Sequence, residues 1–419
     1  MKSKIIFIIS FGISFHCSLK GQEKEILNFT SYLNEVKEKN LDYAAQKYNI
    51  SMAEASILTA GIFPDPQLEM ETSDNGVSKK MGYTMGTSLS WTLELGNKRK
   101  ARIESAKNHA EYSKLQLQDF LRNLIADASL GYIEALKAKA LVEVQKDSYL
   151  SMQQLAKSDS IRYKLGAITL VASRQSRLEA SSLLNDLYMT ESSSKQALSS
   201  LSIFMGTVAE EHDIKGDLHA FNREFNPEDL ILEAVTTRAD LLASKQNINT
   251  AASLVKLEKA NRVIDLGLSL GAEHHTWVTN EIAPSPAVNA VKIGASIPLK
   301  FSNRRNADLK IAEMGRMQAE TEYKQIENSI RAEVRQAYQQ YQATQKQLKQ
   351  FDHGMLSEAK NILDGISYSY RRGESSILEV LNAQRTYNDI RQRYIETLAD
   401  NATALIELER KTGLWDIDF

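Results

Sequence analysis

Two adjacent histidines, His274 and His275, carry the side chains whose chemistry first suggests a metal site in this sequence. Imidazole nitrogens are common zinc ligands, but a two-ligand site needs both rings on the same side of the backbone. The pair lies in an alternating segment typical of a β-strand, where neighbouring side chains point to opposite faces. We therefore expect polar residues near a loop at this point, and no metal site.

Patterns that carry catalysis are missing from the sequence. It contains no HExxH, no GxSxG, no glycine-rich phosphate-binding loop and no cluster of histidines with carboxylates. We therefore expect no enzyme, no catalytic residue and no cofactor. The formal charge of -2, with 25% charged residues, gives no basic field that would attract nucleic acid, so nucleic acid is not an expected partner.

The first 22 residues have the layout of a secretory signal. Lys2 and Lys4 precede an apolar run over residues 5–15, which is too short to span a bilayer, and small and polar residues follow. We predict a signal peptide at 1–22 and an exported mature chain that begins near residue 22 or 23.

The only cysteine, Cys17, lies inside this leader. It could carry a lipid, but Phe15 and His16 are bulky where a lipoprotein signal needs small residues. Removal of the leader leaves no thiol, which excludes disulfide and thiolate–metal chemistry.

The six prolines divide the rest of the chain, because proline breaks helix interiors. They stand at positions 64, 66, 227, 284, 286 and 298. Away from them, residues 97–203 and 303–412 are rich in helix-forming residues and keep apolar residues three and four apart. These blocks predict long helical hairpins, including one uninterrupted helix from about Asn306 to Tyr370, about 100 Å in length.

The sequence repeats itself with a period near 200 residues. Three segments of the first half recur in the second: LDYAAQKYNI from Leu41 as ADLLASKQNI from Ala239, NKRKARIESA from Asn97 as NRRNADLKIA from Asn303, and YKLGAITLV from Tyr163 as YRRGESSIL from Tyr370. Each half is therefore predicted to run helix, strand, loop, strand, long helix, turn, long helix.

Each half contains two short alternating segments, at about 66–74 and 82–95 in the first half and about 264–273 and 288–301 in the second. Alternation usually means a soluble sheet with one face on a core. In an exported chain, however, four such segments of about ten residues also fit membrane-spanning strands. Four strands cannot close a barrel and an open edge is not allowed in lipid, so several copies would have to pool their strands.

The residues expected to face lipid belong to the second strand of each hairpin. They are Tyr83, Met85, Leu89, Trp91 and Leu93 in the first half, and Ile293, Ile297 and Leu299 in the second. The residues between them, such as Ser88 and Ser90, are expected to face a water-filled lumen.

Five motifs give the chain a resemblance to the TolC family of outer-membrane efflux proteins. They are FPDPQLEME at 63–71, LSWTLELGNKRKAR at 89–102, YKLGAITLV at 163–171, SIPLKFSNRRNA at 296–307 and YRRGESSILEVLNAQRTYND at 370–389. The resemblance implies a mainly α-helical chain with a small β-barrel portion. Three copies share a twelve-stranded barrel, and their helical hairpins form a tunnel.

The resemblance also implies a division of the chain and a function. A first repeat at 23–203, an equatorial linker at 204–226, a second repeat at 227–412 and a tail at 413–419 would follow the signal peptide. The protein would be the duct of a tripartite efflux or type I secretion system, in the outer membrane of a Gram-negative bacterium and extending into the periplasm. Its partners would be a periplasmic membrane-fusion adaptor, an inner-membrane pump of the RND type and outer-membrane lipid.

The cargo is left open between metal cations and drugs. The segments LELGNKR and PDPQLEME resemble the heavy-metal branch of the family more than the drug-efflux branch. A periplasmic coiled-coil scaffold or adaptor without a barrel is the alternative function. The four strands and the two-half repeat argue against it, because adaptors usually have one hairpin.

By resemblance, the hairpin tips contact the adaptor and close the tunnel at rest. Tyr163, Gly166, Tyr370 and Gly373 are the matching residues. The glycines could instead simply end their helices. Glu374 and Ser375 follow Gly373 where a basic residue can help lock the closed state, so we expect a gate held more by packing than by ion pairs.

The family often has two acidic residues beyond the second tip that form charged rings at the narrowest point of the tunnel. The matching positions here are Glu379 and Asn382, so only the first keeps the charge. Three copies of Glu379 would favour cations, whereas a simple surface glutamate is the alternative.

Basic residues follow the second strand of each hairpin. Lys98, Arg99, Lys100, Arg304 and Arg305 are expected just below the apolar band, as solvated helix starts or as lipid headgroup contacts.

Overall fold

The computed structural model describes residues 26–76, 80–207, 213–219, 221–299 and 304–416, and within them every side chain except those of residues 304, 305, 352 and 353. The predicted signal peptide with Cys17 lies outside this part, and so do residues 300–303 and the side chains of Arg304 and Arg305. Parts of the predicted linker and tail lie outside it as well.

The described chain is mainly helical with a small sheet, as predicted. The first half contains β1 (Ile26–Asn28), α1 (Phe29–Lys39), α2 (Leu41–Ala60), β2 (Gln67–Asp74), β3 (Tyr83–Leu93), α3 (Lys98–Lys164) and α4 (Leu170–Phe204). The second contains β4 (Asp213–Lys215), α5 (Pro227–Thr237), α6 (Ala239–Asn261), β5 (Leu266–His275), β6 (Val288–Ser296), α7 (Arg304–Gln350), α8 (Leu356–Arg372) and α9 (Ile377–Thr412). The two halves therefore present the same order of helices and hairpins.

The longest helix, α3, has 67 residues and extends about 100 Å at about 1.5 Å per residue. It packs against α4, α6 and α9 along its length. Several residues on its buried face are small, among them Ala126, Ala128 and Ser129, which lets neighbouring helices approach closely. No helix in the described part of the chain is long and apolar enough to cross a membrane.

The second long helix is interrupted, so the prediction of one continuous helix from Asn306 to Tyr370 is wrong. A π-helical turn at Phe351–Met355 separates α7 from α8. Gly354 has a φ of 96° there, in the left-handed region that only glycine adopts easily. This conformation breaks the regular ladder of hydrogen bonds and kinks the helix.

The four longer strands form one antiparallel sheet in the order β2-β3-β5-β6. Each half supplies one hairpin, and β3 joins β5 across the two halves, with Leu89 opposite Leu270. A second, two-stranded parallel sheet pairs β1 with β4. This small sheet was not predicted, because strands of three residues are too short to show alternation.

The largest core cluster surrounds the small parallel sheet. Tyr32 and Tyr132 are fully buried there, with their ring centroids 5.4 Å apart. The Tyr132 hydroxyl lies 3.0 Å from the carbonyl oxygen of Leu27 and 2.8 Å from that of Lys215, so it joins β1, β4 and α3. A second cluster packs α5, α6, α7 and α9 together, and a third lies between the hairpins near Tyr370.

Candidate functional site: the sheet and the hairpin tips

One face of the four-stranded sheet is apolar across all four strands. Directly paired residues share a face, and the pairs Leu68–Leu89, Leu89–Leu270 and Leu270–Ile293 form one continuous row. These four side chains are 63%, 50%, 57% and 85% exposed, so the face does not lie on a core of this chain. The rows beside it contain Met70, Trp91 and Val291, among others, which are also exposed.

The opposite face is polar and small. The row Glu69–Ser88–Gly271–Lys292 crosses all four strands, and the next row contains Glu71, Gly86, Glu273 and Ala290. The ammonium group of Lys292 forms an ion pair with Glu273. The sheet therefore has one apolar face and one polar face that carries charged residues.

The residues predicted to face lipid lie on the apolar face of this sheet or in the segment that follows β6. Tyr83, Met85, Leu89 and Trp91 are each about half exposed, Leu93 is partly buried, and Ile293 is almost fully exposed. Ile297 and Leu299 follow the end of β6 and are also exposed.

The two histidines lie on opposite faces, as their adjacency on a strand requires. His274 pairs with Met85 and Asn289 on the apolar side, and its Nδ1 lies 2.7 Å from Oδ1 of Asn289. His275 pairs with Thr84 on the polar side, with Nδ1 3.0 Å from Oγ1 of Thr84. No group of three or more His, Cys, Asp or Glu side chains in the described residues is placed to hold a metal ion.

The junction between β3 and α3 is held by buried polar contacts. Gly96 and Asn97 both have positive φ, which turns the chain sharply from strand to helix. The side chain of Lys98 is then buried, with Nζ 2.5 Å from Oδ1 of Asp265, the residue directly before β5. The expectation of a solvated helix start or a lipid headgroup contact is therefore wrong for Lys98, because its ammonium group is buried against a carboxylate of the same chain; Arg99 and Lys100 are exposed.

The hairpin tips turn at the two predicted glycines. Gly166 and Gly373 have φ values of 74° and 83°, and a Cβ at either position would meet no atom of the described residues within 4 Å. The backbone conformation, rather than close packing, therefore favours glycine at both turns. The two tyrosines differ, because Tyr163 is 41% exposed and Tyr370 is only 4% exposed.

Tyr370 is buried because it connects the two hairpins. Its hydroxyl donates a hydrogen bond of 3.0 Å to Oδ1 of Asp159, whose side chain is fully buried on α3. The guanidinium of Arg162 lies 4.8 Å from the centre of the Tyr370 ring, and its Nη2 donates to the Tyr370 carbonyl oxygen at 3.3 Å. Burial raises the pKa of the Asp159 carboxyl. Burial and then the nearby Asp159 carboxylate raise the pKa of Tyr370 to about 12.

Glu379 has a local structural role that the sequence analysis missed. The Ser376 backbone N–H donates to Oε2 of Glu379 at 2.7 Å, and the Glu379 N–H donates to Oγ of Ser376 at 3.3 Å. This reciprocal capping box starts α9, and its signature, Ser followed three residues later by Glu, is visible in the sequence. Glu379 and Asn382 are both exposed, one helical turn apart.

A buried carboxyl group near the C-terminus was also missed. Glu409 on α9 is buried, and Arg223 contacts it at 3.4 Å while forming a two-point contact with Asp416 at 2.5 and 2.7 Å. Burial, reinforced by the Asp416 carboxylate, raises the pKa of Glu409 to about 9. Arg223 lowers the pKa of Asp416 to about 2. These residues tie the segment after α9 to the region between the two halves.

The chain matches the outer membrane efflux protein family over residues 32–207 and 230–414. It is 24% identical over 375 residues to the cobalt-zinc-cadmium resistance protein CzcC of Cupriavidus metallidurans, covering 89% of this chain and 87% of that protein. It is 19% identical over 335 residues to the outer membrane efflux protein BepC of Brucella suis biovar 1, covering 80% and 73%.

Solved structures share the fold. A crystal structure of CusC superposes with a TM-score of 0.75 at 17% identity, covering 94% of this chain and 93% of that chain. The outer-membrane channel OprN gives a TM-score of 0.75 at 15% identity, covering 92% and 89%.

Proposed function

Because the chain belongs to the outer membrane efflux protein family and is an efflux channel of the outer membrane, we propose that three copies form one duct. In this proposal the duct receives its cargo from an inner-membrane pump, through a periplasmic adaptor. It catalyses no reaction, and its work is to provide a path that opens and closes. The predicted repeats, 23–203 and 227–412, each supply one hairpin to the barrel, and the linker at 204–226 lies at the equator of the tunnel.

The continuous apolar row Leu68–Leu89–Leu270–Ile293 is the observation that carries the proposal. Removing one large apolar side chain from water stabilises a protein by about 1.5–3 kcal/mol, so an exposed row of four is costly in water. Contact with lipid removes this cost. The polar face then lines the lumen, where Glu69 and Glu71 stand beside small residues.

The open edges of the sheet support the assembly of several copies. Within the described residues, β2 and β6 each pair with a strand on one side only. Backbone N–H and C=O groups at membrane depth need partners, because lipid offers none. Three sheets of four strands would close into a barrel of twelve, which leaves no edge unpaired.

The hairpin tips are the proposed contact for the adaptor. Leu165 and Val171 flank the turn at Gly166, and both are more than half exposed. Leu378 is similarly exposed beyond the turn at Gly373. Apolar side chains at the ends of long helices provide a surface that a partner helix could cover. Tyr163 lies within the first of these surfaces.

The proposed gate uses the contacts between hairpins. The hydrogen bond from Tyr370 to Asp159 holds α8 against α3 close to the tip, and the Arg162 guanidinium over the Tyr370 ring adds to it. Breaking these contacts would let the second hairpin swing away from the first. Three copies of Glu379 beyond the turn would place carboxylates around the opening and favour cations.

We propose metal cations as the cargo and an RND-type transporter as the pump. The relative CzcC is named for cobalt, zinc and cadmium resistance. The acidic residues Glu69 and Glu71 on the polar face would favour cations in the lumen, whereas Glu273 is paired with Lys292. A cation path needs no metal site of high affinity, because the cargo must also leave.

Two measurements test the proposed function. The purified protein should run as a heat-labile trimer and conduct ions in planar bilayers, with cations preferred. Deleting the gene in its native host should raise sensitivity to cobalt, zinc or cadmium. A monomer without conductance would overturn the duct, whereas conductance with sensitivity to drugs alone would replace only the cargo.

A further inference from the structure

We infer that β6 of one copy pairs with β2 of the next in a register fixed by the internal repeat, with Ala295 of one copy opposite Met70 of the next. The inference rests on the proposed duct of three copies. It adds which residues meet at the seam between copies, and it includes a contact between Met314 and Tyr48 of the next copy.

The strand pairs of the two halves define the equivalence. In the first hairpin Leu68 pairs with Leu89, and in the second Leu268 pairs with Ala295. We take each residue of β6 to correspond to the residue of β3 that lies 206 positions earlier, so Ala295 corresponds to Leu89. Their strand partners, Leu268 and Leu68, then correspond too, which gives β5 and β2 an offset of 200 residues. The offset of 206 also separates Asn97 from Asn303 in the repeated sequence, so register and sequence agree.

The seam between copies is then the counterpart of a contact already present within the chain. Inside one copy, β3 joins β5 with Leu89 opposite Leu270. The counterpart of Leu89 is Ala295, and the counterpart of Leu270 is Met70. Pairing β6 with β2 of the next copy therefore places Ala295 opposite Met70 and, two residues away, Ile293 opposite Thr72.

The faces of the two edge strands agree with this register. Ala295 pairs with Leu268, and Met70 pairs with Thr87, which puts both on the apolar side of the sheet. A slip of one residue would place Ala295 opposite Glu69 or Glu71 and mix the two faces. In the inferred register Glu71 of the next copy is instead a diagonal neighbour of Lys292 on the polar face.

The geometry of closure is also consistent. From Met70, the paired residues run through Thr87, Ala272 and Val291, and the seam then leads to Asp74 of the next copy, four residues along from Met70. Over three copies this displacement along the strands adds up to about twelve residues, in a barrel of about twelve strands. With a rise of about 3.3 Å and a strand spacing of about 4.8 Å, the strands tilt by about 35°, within the range of membrane barrels.

The helices supply an independent observation. Within the chain, Gln246 on α6 donates to the carbonyl oxygen of Asn108 on α3 at 3.2 Å. In the repeated sequence Gln246 aligns with Tyr48, and Asn108 aligns with Met314. Tyr48 and Met314 are both at least half exposed in the single chain. The polar contact between Gln246 and Asn108 inside one copy thus corresponds to an apolar contact between two copies. That second contact would cover the side chains of Tyr48 and Met314.

Cysteine crosslinking tests the register, because the mature chain is expected to contain no thiol of its own. Ala295→Cys with Met70→Cys should give crosslinked dimers and trimers on non-reducing gels after oxidation in membranes. The slipped pair, Ala295→Cys with Thr72→Cys, should crosslink several-fold less. Tyr48→Cys with Met314→Cys should also link copies.

Leu89→Cys with Leu270→Cys is the matched control, since it is the same pair type within one chain and should form a disulfide without linking copies. If that control forms and the slipped pair links copies better than Ala295 with Met70, the register is overturned. Heat-labile trimers with no crosslink at any seam pair would overturn it as well. In both cases the duct stands, whereas absence of trimers and of conductance would overturn the proposed function itself.

Discussion

The Tyr370 hydroxyl donates a hydrogen bond of 3.0 Å to a buried oxygen of Asp159, and this contact joins α8 to α3 through two residues that are 211 positions apart in the sequence. Among the described residues the second oxygen, Oδ2, is buried without a hydrogen-bond partner, and Oδ1 accepts from the tyrosine and lies 3.7 Å from Nη1 of Arg162. Both residues lie within about two turns of the hairpin tips. The pair is thus one removable link between the two hairpins, beside others such as the ion pair of Arg385 with Glu179.

We expect Tyr370→Phe to loosen this link. Loss of the hydroxyl leaves a buried carboxyl group unsatisfied, which costs about 1–3 kcal/mol. The apparent melting temperature should fall, and single-channel recordings should show the open state more often. Tyr163→Phe is the control, because Tyr163 is exposed at the matching tip. Equal effects of the two variants would contradict a gating role for Tyr370.

Glu379→Gln should separate the two roles of this residue. Glutamine also serves in a capping box, so the start of α9 should stay intact and the melting temperature should change little. The charge is lost, however, and we expect cation selectivity in planar bilayers to decrease. Asn382→Asp is the converse variant, and it should increase cation selectivity. Unchanged selectivity in both would leave Glu379 as a helix cap alone.

The strands could be predicted from the sequence because their information is local. Alternation with a period of two identifies both the strand and its apolar face, as it does for Tyr83 to Leu93. The internal repeat then predicts a matching pair of strands in the second half of the chain. Pairing of β3 with β5 could not be deduced in this way, because it depends on contacts between residues such as Leu89 and Leu270, far apart in the sequence.

The features that the sequence did not yield depend on distant partners or on a single residue. The burial of Lys98 requires Asp265, 167 residues away, and nothing beside Lys98 indicates it. Gly354 interrupts a pattern that otherwise favours one helix, and periodicity averaged over a long block hides a single glycine. The capping box at Ser376 and Glu379 is the exception, because its signature in the sequence is local.

A charge at Leu89 should behave differently from a charge at Ser88. Leu89→Arg places a cation on the apolar face, where the cost near the membrane midplane is about 2–4 kcal/mol. Ser88→Arg places it on the polar face, directly opposite Glu69. We expect the first variant to assemble poorly in outer-membrane fractions and the second to assemble normally. Similar yields of heat-labile trimer from the two variants would contradict the assignment of lipid and lumen faces.

Glu409 should make the stability of the protein depend on pH. Its pKa is about 9 in the folded chain, against 4.5 for an ordinary glutamate. Between these values the folded state binds the proton and the unfolded state does not. The free energy of unfolding should therefore fall as pH rises from about 4.5 to about 9, by up to about 1.4 kcal/mol per pH unit. Asp416 stays ionised over this range, because its pKa is lowered to about 2.

We expect Glu409→Gln to remove this slope. A neutral amide resembles the protonated carboxyl group, so the variant and the original protein should melt at similar temperatures near pH 5. At pH 8 the variant should be the more stable, because burying its side chain requires no proton. Melting in detergent across pH 5–9 measures the difference. Glu407→Gln, which changes a more exposed carboxylate paired with Arg410, should keep the original slope. A slope that survives in Glu409→Gln would show that another group is responsible.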